Sequence, residues 1–245
     1  MTKKKERIAK IMAAAGLCSR RDAEKWILDG RVQVNGQQLS TPAFTVSEED
    51  KIVVDGKPLT EKETPRLWCY HKKAGLMTTH KDPQGRPTVF ENLPTYLPRV
   101  ISVGRLDFNS EGLLLLTNSG ELSRAMELPA NGWKRKYRVR VHGRITPDII
   151  GRLKKGVKIK GISYAPCEIE VEKEQGSNTW VMMTLKEGKN REIRRLMEFF
   201  GLQVTRLIRV SYGPFQLGNL EAGNVREVTT KALKGVMADL KLEQA

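Results

Sequence analysis

The chain has 245 residues, with 43 Lys and Arg against 28 Asp and Glu, a net charge of +15 and a pI near 9.8. No apolar run reaches the ~18 residues of a membrane span, and Glu6, Arg7 and Lys10 break the lysine-rich start where an export signal needs an apolar stretch, so membrane and exported proteins are not expected and a polyanionic partner is. Cys18, Cys69 and Cys167 are odd in number and far apart, which reads as free thiols in a reducing cytoplasm. The excess charge is uneven: residues 131–160 carry 11 basic side chains and one acidic one.

In chain order, Ile8, Ile11, Met12 and Ala15 recur at helical spacing and Gly16 supplies a stop. Ser19 is placed to cap a second helix, with Asp22 in the capping-box position and Ala23, Trp26 and Ile27 as its apolar stripe. Residues 31–34 alternate as a strand, Asn35-Gly36 signals a tight hairpin, and residues 51–54 form another strand. This order of helix, helix, hairpin and strand, in the wording CSRRDAEKWILDGRVQVNG, resembles the S4 RNA-binding domain over residues 6–59. The resemblance implies that Arg7, Lys10, Arg20, Arg21, Lys25 and Arg31 meet RNA phosphates. Such contacts position an RNA without reading its sequence.

Residues 60–66 are polar and contain a proline, so they are expected to link a first domain, 1–59, to a second, 67–245. The second domain opens on the apolar run 67–70. Strands are expected at 100–103, 113–116, 137–141, 169–171, 180–185 and 204–210. Helices are expected from Thr146-Pro147 to Lys155 and along Ile193, Leu196, Met197 and Phe200 up to Gly201. Strands outnumber helices without alternating with them, which predicts an α+β fold with a mixed, mainly antiparallel sheet.

Several chemistries lack their residues. No phosphate-cradling glycine loop ends in Gly-Lys-Ser/Thr, and no Gly-x-Gly-x-x-Gly pattern supports a dinucleotide or methyl-donor cofactor. His71, His80 and His142 are scattered and Cys167 lacks a deaminase pattern, so no metal is expected. Cys69-x-His71 reads as two ordinary positions on one strand face. The unusual segment is Gly104-Arg105-Leu106-Asp107-Phe108-Asn109-Ser110-Glu111-Gly112, which sets an acid in a loop between apolar strands. A loop held by strands suits a reactive group, though an aspartate there also commonly bonds its own turn.

GRLDFNSEGLLLLTNSGEL is similar to the catalytic motif of RNA pseudouridine synthases, in the branch that includes the small-subunit enzyme RsuA and the large-subunit enzymes RluB, RluE and RluF. DPQGRPTVFENLP, KRKYRVRV and EGKNREIRRLMEFFGLQVTRLIRV follow that family in order, and the wording is most similar to the RluB type. The resemblance implies isomerisation of uridine in ribosomal RNA, by large-subunit likeness in 23S, with Asp107 as nucleophile. It further implies Tyr137 stacked on the base, Arg194 paired with the aspartate, and Arg105 and Phe108 holding the space a flipped uridine leaves. Lys134, Arg135, Arg138, Arg140 and Arg195 become RNA contacts, so that the basic stretch reads as a grip around the site. No cofactor is implied, and the partner is ribosomal RNA or a pre-ribosomal particle met by a cytoplasmic monomer. A small-subunit enzyme and a catalytically silent ribosome-assembly factor remain as alternatives, the latter disfavoured by the intact Asp107, Tyr137 and Arg194.

Overall fold

The computed structural model describes residues 5–61 and 63–242; residues 1–4, within the lysine-rich start, and Lys62 of the expected linker lie outside it, as do residues 243–245. Helices α1 (Ile8–Ala14) and α2 (Arg20–Leu28) fall where the apolar spacing places them. The Asp22 N–H donates to Ser19 Oγ at 3.0 Å while the Ser19 N–H donates to Asp22 Oδ2 at 3.2 Å, completing the capping box. Strands Val32–Val34 and Gln37–Gln38 turn about Asn35 and Gly36, whose φ values of 52° and 81° are what a tight primed turn demands. With Ile52–Val54 and Lys57–Pro58 they make a four-stranded sheet. Ile8, Met12, Ala23, Ile27, Val32 and Val54 form its buried core with the two helices. One pairing is not legible in the sequence: Glu6–Arg7 lies antiparallel to Thr45–Val46.

The expected linker is not a free tether throughout. Asn118 Oδ1 accepts the Arg66 N–H at 2.7 Å, and the Arg66 guanidinium holds Glu227 through two bonds of 2.7 and 2.6 Å. Asn118 also donates to Glu63 and to the Thr64 carbonyl. Polar composition suggested solvation here, but partners more than fifty residues away take up these groups.

The second domain is built on one nine-stranded sheet: β1 (Leu67–Lys72), β2 (Ile101–Val103), β3 (Glu111–Thr117), β4 (Arg135–His142), β5 (Glu168–Gln175), β6 (Asn178–Leu185), β7 (Gln203–Tyr212), β8 (Phe215–Gln216) and β9 (Val225–Glu227). The main path runs β5-β6-β4-β7-β3-β1-β9, with β2 paired to β3 and β8 to β7. Every pairing is antiparallel except β7 against β3, where Ile208 stands opposite Glu111 and Arg209 opposite Gly112. This parallel joint welds two antiparallel halves. It needs a glycine: a β-carbon at Gly112, where φ is +100°, would fall 2.3 Å from the Arg209 carbonyl oxygen.

Alternation along the strands separates two faces. On one, Val139, Val141, Val181 and Met183 pack under α4 (Pro147–Lys155) and α5 (Glu192–Phe199). Tyr70, Leu114, Leu116 and Leu106 continue that face in a second cluster, and Tyr137 packs against both. On the other, Cys69, Leu113 and Leu115 meet α3 (Gly120–Glu127) and α6 (Thr230–Asp239), two helices the sequence reading does not predict. Both open on a side-chain cap, Ser119 and Thr229. A short hairpin, Val157–Ile159 with Ile162–Tyr164, also goes beyond the expected strands.

Candidate active site

Asp107 lies in the loop between β2 and β3, and this loop is held almost entirely through its backbone. Thr78 Oγ1 donates to the Leu106 carbonyl at 2.8 Å and accepts the Leu106 N–H at 3.3 Å. The Gly75 N–H donates to the Phe108 carbonyl at 2.8 Å. Lys72, at the end of β1, is fully buried, and its ammonium faces the carbonyls of Lys73, Asp107, Phe108 and Ser110 at 3.0, 3.2, 3.3 and 2.9 Å. Three N–H donors shared among four carbonyl oxygens make a clamp that fixes the path of the loop. Burial pulls the Lys72 pKa down to about 8, with the charges of Asp107 and Glu111 acting to raise it. Nothing in the sequence singles Lys72 out from Lys73 beside it; strand parity alone turns one inward.

The Asp107 carboxylate is half-buried and takes no hydrogen bond or ion pair among the described residues. Arg194, on α5, reaches the same loop, but its hydrogen bonds go to the carbonyls of Asn109 at 3.0 Å and Val204 at 3.1 Å. No ion pair joins it to Asp107 in this structure, contrary to the pairing the resemblance implies. Burial lowers the Arg194 pKa and the Arg191 charge adds to that, while the charge of Asp107 opposes both. Its Nε is buried without a partner. The Arg194 guanidinium thus feels the Asp107 charge while keeping hydrogen-bonding capacity unspent. Tyr137, half-buried, packs on the cluster containing Leu106, the neighbour of Asp107. Tyr137, Arg194 and the Asp107 loop therefore meet on one face of the sheet.

Arg105 and Phe108 are exposed at the loop surface. The other predicted contacts divide. In the first domain Arg7, Arg20, Arg21 and Lys25 are exposed, whereas Lys10 is paired with Glu6 and Arg31 with Asp55. Arg31 also lies 4.3 Å from the Trp26 ring centroid. Around Tyr137, alternation puts Arg138 and Arg140 on the far face of β4. There Arg138 pairs with Glu172 at 2.7 Å and covers Trp180, and Arg140 donates to Thr205 Oγ1 at 2.9 Å. Lys134 pairs with Glu168, Arg135 donates to Tyr212 and to the Lys186 carbonyl, and Arg195 donates to Asn190. The basic strand is thus largely engaged in contacts of its own and does not close around Asp107.

Two further buried groups carry no signal in the sequence. Arg209 is buried beneath Gly112, donates from Nε to the Leu113 carbonyl at 2.7 Å, and leaves one terminal nitrogen without a partner. Glu192 is buried at the entry to α5, where Arg191 adopts a left-handed φ of 52°. Burial raises the Glu192 pKa to about 7, and the Glu187 charge adds to the rise. A carboxyl whose folded pKa exceeds its unfolded value costs stability as pH rises through that interval. Glu192→Gln, which keeps the acceptor for the Lys189 N–H, is therefore expected to melt at least about 2–4 °C above the wild type at pH 8.5 and level with it at pH 4. Calorimetry at the two pH values checks this; equal midpoints at pH 8.5 would remove the charge cost.

The cysteines are buried and free, and burial pushes the Cys18 and Cys167 thiols up to about 11, far from a reactive thiolate. His71 bonds the Leu220 carbonyl and not Cys69. Among the described residues no three His, Cys, Asp or Glu side chains gather as a metal site, and no helix is long and apolar enough to cross a membrane.

The sequence pattern of the family described as RNA pseudouridylate synthase matches residues 66–199, and that of the S4 domain matches residues 6–52. The chain is 53% identical over 230 residues to a Rickettsia felis protein named an uncharacterized RNA pseudouridine synthase, covering 94% of this chain and 99% of that one. It is 42% identical over 234 residues to the Yersinia pestis protein named ribosomal large subunit pseudouridine synthase B, covering 93% of this chain and 74% of that one. The Xanthomonas campestris protein of the same name is 41% identical over 252 residues, covering 99% and 51%. A solved structure described as a pseudouridylate synthase aligns with a TM-score of 0.68 and 25% identity, over 94% of this chain and 99% of its own.

Proposed function

The chain belongs to the RNA pseudouridylate synthases, with an S4 domain ahead of the catalytic one, and from that premise we propose that it converts uridine in large-subunit ribosomal RNA to pseudouridine. The observation that carries the proposal is the Asp107 loop: its backbone is clamped by Lys72, Thr78, Gly75 and Arg194, while the carboxylate is left uncommitted and Tyr137 packs on the cluster that holds its neighbour Leu106. Rigid support behind a free nucleophile is what covalent catalysis at a sugar carbon requires.

In this reading the uridine leaves its stack, at a cost of about a few kcal/mol, and Tyr137 receives its ring. Asp107 attacks C1′ as the bond to N1 breaks. The freed uracil turns and rejoins C1′ through C5; the proton at C5 is lost, N1 gains one, and the carboxylate is regenerated. No electron or group is exchanged with a second molecule, so the reaction asks for no cofactor. The S4 domain offers Arg7, Arg20, Arg21 and Lys25 to phosphates. Support for the large subunit comes from the two relatives bearing that name.

Incubating the protein with unmodified 23S and 16S transcripts, followed by chemical mapping of pseudouridine, tests the proposal. New pseudouridine in 23S alone is expected. Modification of 16S instead would reassign the substrate, and none in either RNA, or in a precursor particle, would favour an assembly factor.

A further inference from the structure

The second half of the basic stretch forms a surface the catalytic site does not use. Arg152, Lys154, Lys155, Lys158 and Lys160 occur without an intervening acid, all are exposed, and among the described residues none enters an ion pair. Lys134, Arg138 and Arg206 behave differently, each closed by a glutamate. The dipole at the C-terminus of α4 accounts for cations in its last turn, but Lys158 and Lys160 stand on the following hairpin, beyond that field.

Gly156 brings the two halves together. Its φ is +83° and a β-carbon there would fall 2.7 Å from the Tyr164 carbonyl oxygen, so the chain turns sharply from helix to hairpin. The result is a shallow groove lined by Arg152, Lys155, Lys158 and Phe199. Phe199, at the end of α5, is 41% exposed, and the Arg152 guanidinium lies 5.2 Å from its ring centroid and 4.9 Å from that of Phe200. Uncompensated cations around an exposed ring match the two halves of a single-stranded nucleic acid, phosphate and base face. Arg194 and Phe199 share α5, about 7.5 Å apart along its axis and about 140° apart around it, so the groove lies on a different side of the helix from Arg194.

Resting on the reading that the substrate is RNA, we infer that this groove is a second RNA contact. It grips a single-stranded segment outside the uridine's own loop, with phosphates on Lys155 and Lys158 and a base stacked on Phe199.

Binding of a labelled 12-nucleotide oligoadenylate, which contains no uridine to convert, tests this across a range of salt concentrations. The double variant Lys155→Ala, Lys158→Ala is expected to lower the log–log salt slope by about 1.4, at ~0.7 per single-strand phosphate contact. Phe199→Ala should weaken binding about fivefold or more while leaving the slope in place. Removing equal charge elsewhere, with Lys231→Ala and Lys234→Ala on α6, should leave the slope at the wild-type value, and melting curves confirm that each variant is folded. Wild-type slopes in the Lys155, Lys158 variant, or an equal fall in the α6 control, would overturn the inference. So would loss of polyglutamate binding with RNA binding intact, which would assign the groove to an acidic protein. If wild-type protein modifies no RNA, the substrate proposal falls while the oligoadenylate result still decides this one.

Discussion

Asp107→Asn is expected to abolish pseudouridine formation, lowering turnover by about 10⁴-fold or more, because a neutral amide cannot serve as the nucleophile. The substitution is nearly isosteric. The native carboxylate has no hydrogen bond or ion pair among the described residues, so the loop, held through its backbone, should keep its path. RNA affinity and the thermal midpoint are therefore expected to stay close to wild type, separating loss of chemistry from loss of fold. Tritium release from RNA labelled at uridine C5, with mapping of the product, provides the readout. Turnover above about one per cent of wild type would sink the assignment of Asp107 as nucleophile.

Lys72→Met should produce the second largest effect: turnover down about 100-fold and stability down about 2–4 kcal/mol. Methionine fits the volume, but four carbonyl oxygens around the buried ammonium lose their donor. An unpaired buried acceptor costs about 1–3 kcal/mol, offset in part because a buried charge no longer has to be desolvated. The wild type carries the matching pH signature. With a folded pKa of about 8, below the ordinary value of 10.5, the charged lysine costs stability at and below pH 8. That cost fades as pH rises toward the unfolded value. Turnover should thus fall as pH rises through about 8, as the clamp loses a donor, with no loss of thermal stability from this group. Single-turnover rates from pH 6.5 to 9 test the point. An identical alkaline limb in Lys72→Met would show that another group produces it.

The first domain was legible because its signals are local. Ser19 with Asp22, and Asn35 with Gly36, each settle a cap or a turn within four residues. The pairing of Glu6–Arg7 with Thr45–Val46 was not, since two-residue strands carry no periodicity. In the second domain the long strands and α4 stood out, while α3 and α6 did not. α3 opens on a glycine and α6 contains one, which blurs the helical signal even though both are capped. That the second half of the segment 60–66 is held in place was not legible, because the partners of Arg66 and Thr64 come from Asn118 and Glu227.

The candidate site divides along the same line. Asp107, Tyr137 and Arg194 could be named from ordered motifs, and the fold brings them to one face. Lys72 and Arg209 could not, because a buried cation looks like any other until its surroundings are known. The concentrated charge of residues 131–160 was visible in the sequence, but its destination was not. Strand alternation sends Arg138 and Arg140 to the far face, glutamates close Lys134 and Arg138, and exposed cations without an ion pair among the described residues gather on α4 and its hairpin. The sequence by itself determined the family, the domain order, the nucleophile candidate and the presence of a surplus of basic charge, since these rest on residue identity and short spacing. Only the tertiary structure decided which cations hold the loop, which are neutralised and which face solvent, because burial and pairing depend on neighbours that the sheet brings together from distant positions in the chain.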